Sequence, residues 1–232
     1  MKRFLGVIAA AAVFYGCAQQ HRAMGGRSFA FGNYESASQS YDQALSYNSS
    51  DPNALLMSGW SSFKQGDYAK SLNSFSKLQQ ADPDSRDALE GLGWTYFKTA
   101  KYDSAIAAFQ SLREKDKDSA SAVEGIGYSY FKLGKVAEAK EYLRLAILEN
   151  PRNSDTHLIR GYAAMMESDY RTAIGSFKKA RSLLLKSNAD LETALGNAYL
   201  GNNDKRNAER CFNRALKKDP NHAGALAGKQ KV

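Results

Sequence analysis

From residue 18 onward the apolar positions fall at helical spacing, in short runs that come in pairs. Leu92, Gly93 and Tyr96 belong to one run, and Ala105, Phe109 and Leu112 to the next. Steps of three and four residues keep such side chains on one face of a helix. Polar turns such as Lys64-Gln65-Gly66-Asp67-Tyr68 and Leu133-Gly134-Lys135 separate the runs. Glycine there tolerates the left-handed backbone that ends a helix. Each predicted helix has about 12–15 residues and is marginal alone in water, so stacking on neighbours must supply the stability.

The paired runs repeat. Gly25, Gly59, Gly93, Gly127, Gly161 and Gly196 are separated by 34, 34, 34, 34 and 35 residues. The same features follow each marker: Ile126-Gly127 and Tyr130 precede Ala139, Leu143, Ala146 and Pro151, and Leu195-Gly196 and Tyr199 precede Ala208, Phe212, Ala215 and Pro220. Glycine and alanine leave room for close helix approach, large residues fill the gaps, and Pro83, Pro151 and Pro220 punctuate the links.

This pattern resembles the tetratricopeptide family. The resemblance covers residues 18 to 222 and implies an all-α, right-handed α-α superhelix of helical hairpins. The expected units are 52–85, 86–119, 120–153, 154–188 and 189–222, preceded by a degenerate one at 18–51. Two readings stand for the start. Gly25 and Gly26 each cost a helix about 1 kcal/mol relative to alanine, and His21 and Met24 replace large apolar residues. Residues 17–27 are therefore either a tether behind a modified cysteine or part of a first helix. Residues 223–232 are either a partial capping helix or a frayed tail.

The first sixteen residues read as an address. Lys2 and Arg3 precede an apolar stretch from Phe4 to Phe14, too short for a spanning helix of ~20 residues. It fits the core of a secretory signal peptide. Gly16-Cys17 resembles the end of a bacterial lipobox, whereas Phe14 and Tyr15 depart from that pattern. The resemblance implies cleavage before Cys17 and its lipidation. More than one acyl chain makes such anchoring stable. Ala18 in place of aspartate favours the outer membrane, with the chain facing the periplasm.

In the family, the first helix of each hairpin lines a concave surface. The resemblance places Trp60, Trp94, Tyr128 and Tyr162 there, with Phe63, Phe97, Phe131 and Met165 three residues further on. Lys64, Lys98 and Lys132 stand beside them, and Glu90 and Glu124 precede their glycines by three residues. The aromatics either pack on a neighbouring helix or form a groove for an apolar helix or extended segment, since aromatics dominate binding hot spots. The lysine–asparagine clamp of chaperone-binding relatives is absent: Leu56 with Trp60, Gly91, and Ser121 with Gly125 occupy its places.

The charge sharpens this picture at one end. Residues 18–153 carry 16 basic and 16 acidic side chains, whereas residues 154–232 carry 14 and 8. Lys178, Lys179, Arg181 and Lys186 cluster in the fifth unit, and Lys205, Arg206, Arg210, Arg214, Lys217 and Lys218 in the sixth. They form either a solvated outer face or a contact for an acidic partner, anionic lipid or envelope polymer. Nucleic acid is disfavoured by the export signal and by the lack of a binding motif.

No catalytic constellation, phosphate loop, cofactor motif or metal-ligand spacing occurs. His21, His157 and His222 are far apart, and Cys211 reads as a packing residue. The expected protein is a non-enzymatic, lipid-anchored adaptor for an envelope protein. Within the family, pilotin-like and envelope-assembly lipoproteins offer concrete versions. The alternative is a cell-wall-polymer binder, or regulator of a cell-wall enzyme, acting through the basic C-terminal end.

Overall fold

The computed structural model describes the backbone from residue 2 to residue 232 and the side chains from residue 15. The side chains of most of the expected leader, 1–16, thus lie outside the described residues. The described residues form thirteen α-helices and no strand. They divide into two compact units, residues 1–117 and 118–232.

The first unit holds three hairpins: α1 (Lys2–Ala30) with α2 (Tyr34–Tyr47), α3 (Pro52–Gln65) with α4 (Tyr68–Ala81), and α5 (Arg86–Lys98) with α6 (Tyr102–Lys115). The second unit pairs α7 (Ala120–Lys132) with α8 (Val136–Glu149), α9 (Ser154–Met166) with α10 (Tyr170–Leu183), and α11 (Ala189–Gly201) with α12 (Lys205–Lys218). A short α13 (Ala223–Lys229) closes it against α11 and α12. None of the described helices is long and apolar enough to cross a membrane.

The helix ends follow local chemistry. Asp51, Asp67, Ser85, Ser119, Asn153, Asp169, Asn188 and Asp204 each accept a hydrogen bond from a backbone amide in the first turn of the next helix. Such caps satisfy donors the helix cannot satisfy itself. Inside each hairpin the turn passes through one left-handed residue: Gly32, Gly66, Ala100, Gly134, Ser168 and Asn203. These lie at the same 34- or 35-residue interval as the marker glycines. Three of the six are not glycine and carry a side chain where glycine fits best.

The marker glycines have a specific occupant. In every hairpin the side chain sixteen residues further on lies over the glycine: Tyr41 on Gly25, Phe75 on Gly59, Phe109 on Gly93, Leu143 on Gly127, Phe177 on Gly161 and Phe212 on Gly196. A Cβ built on Gly59 would stand 2.7 Å from the Phe75 ring. Phe75 also presses on Gly91 of the following hairpin, and Phe212 on Gly228 of α13. The four phenylalanines are fully buried. They form the interior together with recurring small residues, among them Ala37, Ala105, Ala139, Ala173 and Ala208.

The start of the chain shows the same arrangement. Residues 18–27 lie within α1, which packs on α2. Gly25, costly to a helix in isolation, is buried beneath Tyr41. His21 stacks on Tyr47 with ring centroids 5.9 Å apart, and Met24 is exposed.

Several polar groups in the interior are paired within each unit. In the first, Ser38 meets Ser62, Ser58 meets Ser74, and Ser71 meets Thr95 at 3.0–3.3 Å. In the second, Glu192 is 2% exposed. Its carboxylate accepts from Arg214 Nε at 2.9 Å, Arg181 Nη1 at 3.3 Å and Ser187 Oγ at 3.0 Å, which ties α10, α11 and α12 together.

Candidate protein-binding face

The first helix of each hairpin buries its glycine side under a side chain from the second helix, a ring in every hairpin but the one closed by Leu143, and the residue next to the glycine stands beside that side chain. In the first unit the second and third hairpins carry tryptophan at this place, and the first carries Gly26. Trp60 meets Phe75 edge to face at 5.1 Å and Phe63 at 5.5 Å. Trp94 meets Phe109 at 5.0 Å and Phe97 at 5.9 Å. Phe63 continues to Tyr68, and Phe97 to Tyr102, both at 5.7 Å. Two copies of one aromatic cluster are thus built on neighbouring helices α3 and α5. Edge-to-face pairs of this kind contribute ~0.5–1.5 kcal/mol beyond their buried area.

The clusters are neither sealed nor fully open. Trp60, Phe63, Trp94 and Phe97 are half-buried, as is Glu90, while Lys64 and Lys98 are exposed. Each lysine lies in the last turn of its helix, as Lys132 does in α7. That position favours a cation through the partial negative charge at a helix C-terminus. The lysines therefore have a structural use and still leave an ammonium in solvent beside the aromatics.

The second unit departs from this pattern at its first hairpin. Leu143 replaces the phenylalanine over the glycine, and Tyr128 stands where the first unit has tryptophan. The Tyr128 hydroxyl lies 2.7 Å from Thr156 Oγ1, and the side chain is 7% exposed. Glu124, 8% exposed, accepts from Asn153 at 2.7 Å and from Asn150 at 3.4 Å. Burial raises the Glu124 carboxyl above its ordinary value, a rise that the bonds from Asn153 and Asn150 partly offset. Tyr128 and Glu124, expected on the binding face, thus join α7 to the start of α9 and offer little surface. Phe131 and Met165 are half-buried, Met165 against the core, and Lys132 is exposed. Tyr162 meets Phe177 at 5.1 Å and remains 36% exposed.

Other candidate chemistry is dispersed. Cys17 is a half-buried free thiol near the middle of α1. Cys211 is buried, and burial pushes its thiol up despite the Arg214 guanidinium 2.9 Å away. Among the described residues no group of three histidine, cysteine or carboxylate side chains could hold a metal ion.

Sequence profiles described as tetratricopeptide repeat match residues 27–86, 62–126, 124–183 and 189–222. The chain belongs to the tetratricopeptide repeat family. That all-α fold is a protein-interaction scaffold, and solved structures share it along nearly the whole chain. PilW, described as a widely conserved type IV pilus biogenesis factor, is 17% identical with a TM-score of 0.81, over 90% of this chain and 97% of PilW. PilF of Pseudomonas aeruginosa is 15% identical with a TM-score of 0.80, over 94% and 99%. YrrB, described as having an unusual peptide-binding site, is 19% identical with a TM-score of 0.67, over 84% and 100%. No curated protein sequence matches significantly. At these identities the likeness speaks for the fold alone.

Proposed function

We propose that this chain is a membrane-anchored, periplasm-facing adaptor that holds an envelope protein along the first-helix face of its hairpins. The observation that carries this reading is the pair of half-exposed aromatic clusters on α3 and α5, each with a solvated lysine beside it. Tryptophan and phenylalanine supply large contact area with few rotors to freeze. An apolar helix or extended segment with acidic flanks would meet both the rings and the ammonium groups.

The full-length likeness to PilW and PilF supports assembly of an envelope complex, such as a pilus or secretion system, as the setting. The anchor rests on the Gly16-Cys17 pattern after an apolar leader. Affinity capture from solubilised membranes should retain a discrete partner on the full chain. Trp60→Ala with Trp94→Ala should abolish capture while leaving helical circular dichroism unchanged. Capture that survives this change, yet fails after the basic cluster of α12 is neutralised, would shift the function to the C-terminal end. Cys17→Ser should stop fatty-acid labelling, and persistent labelling would refute the anchor.

A further inference from the structure

A second surface shares no residue with the aromatic face. We propose that the C-terminal ends of α10 and α12, with the loop from Leu184 to Lys186, dock on an anionic lipid bilayer.

Glu192 fixes the geometry. Arg181 in the last turn of α10, Arg214 near the end of α12, and Ser187 in the loop all bond to this one buried carboxylate. The two basic helix ends and the loop are thereby brought to one place. Lys178 lies three residues before Arg181, Lys186 is next to Ser187, and Lys217 and Lys218 follow Arg214 by three and four. All four lysines are exposed.

The local acids do not balance them. Residues 170–183 contain no carboxylate, and residues 205–218 contain only Glu209. Glu192 is shared between two guanidinium groups. Asp190 bonds to the His222 ring at 2.9 Å, and Asp219 accepts from the Asn221 amide at 3.1 Å. Positive charge is therefore in excess.

Charge alone would suit any polyanion, and the loop narrows the choice. Leu185 is fully exposed and Leu184 is more than a third exposed. The spacing from Gly161 to Gly196 is one residue longer than every other, so this unit carries an insertion relative to its neighbours. Two apolar side chains in solvent, flanked by cations, suit a phase that is apolar below and anionic at its rim. The boundary between headgroups and acyl chains has that character. A soluble polyphosphate would use the lysines and leave the leucines wet.

The test uses the full chain with Cys17→Ser, so that no acyl chain is added, and Leu184→Cys carrying an environment-sensitive fluorophore. Cys211 is buried and takes no label. The label should shift to the blue on phosphatidylcholine vesicles containing roughly a third phosphatidylglycerol, and not on phosphatidylcholine alone. Lys217→Glu with Lys218→Glu should weaken the response about tenfold or more, and Leu185→Asp should weaken it comparably. No shift on anionic vesicles, or an equal shift on neutral ones, would overturn the proposal. So would binding of soluble polyphosphate that is indifferent to Leu185→Asp, which would assign a polyanion site. The surface shares no residue with the aromatic face, so either can fail without the other.

Discussion

The Phe109 ring lies so close over Gly93 that a Cβ on the glycine would stand 2.6 Å from its Cε1 atom. The ring is fully buried and also carries the edge of Trp94. One contact thus sets the approach of α5 to α6 and positions the neighbouring tryptophan.

Gly93→Ala should therefore destabilise the chain. Alanine gains ~1 kcal/mol of helix propensity, but overpacking a closed core costs ~1–3 kcal/mol. Gly175, in the middle of α10 with nothing within 4 Å of its built Cβ, is the control. Gly175→Ala should raise the melting temperature and Gly93→Ala should lower it. Shifts of the same sign would show that the ring does not hold its place.

Ala105→Leu tests the other side of this hairpin. Ala105 is fully buried, and the added volume has nowhere to go. A loss of ~1–3 kcal/mol is expected, read as a lower urea midpoint. An unchanged midpoint would count against the repeat register.

Ala100 and Ser168 hold left-handed backbone at φ 59° where the equivalent turns use Gly66 and Gly134. The left-handed region costs an ordinary residue ~1–2 kcal/mol, and glycine gives part of this back in unfolded-state entropy. Ala100→Gly and Ser168→Gly should each stabilise by ~0.5–1 kcal/mol. Differential scanning calorimetry of the single and double variants should show additive gains, the turns being far apart in sequence.

Glu192 and Glu124 should respond to acid in opposite senses. Burial would raise the Glu192 carboxyl, but bonding and charge from Arg214, with Ser187 and Arg181, hold it below its ordinary value. Its contribution is present above the ordinary carboxylate pKa and is lost as pH falls through the lower folded value. Glu124 is raised, so the folded state disfavours its charge at neutral pH, and protonation relieves that cost as pH falls through the raised value. Glu192→Gln should cost ~1–3 kcal/mol near neutral pH and flatten the acid limb of a melting-temperature profile. Glu124→Gln should lose least at neutral pH and remove any gain on mild acidification. Identical profiles for both variants would contradict the assignment.

The glycine interval and the turn residues Gly66 and Gly134 made the helical pairs legible in the sequence, because they answer to local backbone rules. The occupant of each glycine was not legible, since a contact sixteen residues away depends on how the hairpin closes. Tyr128 illustrates the limit. Its position matches Trp60 and Trp94, but Leu143 stands in place of the covering phenylalanine and Thr156, on another hairpin, pairs with the hydroxyl. Gly25 reads as a liability in isolation and is a seat for Tyr41 once α2 folds back. The basic residues of α10 and α12 were visible as a cluster. Their convergence on Glu192, and the exposure of Leu185 beside them, emerge only from packing.

The constant distance from marker glycine to covering side chain has a bearing on how such a chain can change length. Excising residues 60–93 would join Gly59 directly to Trp94 and leave Phe109 sixteen positions downstream, where Phe75 had been. The shortened protein would find a seat for its ring, an edge for its tryptophan and a lysine for its helix end without any substitution. Reach along a partner could thus be lengthened or trimmed by whole hairpins, while the rules of assembly stay the same.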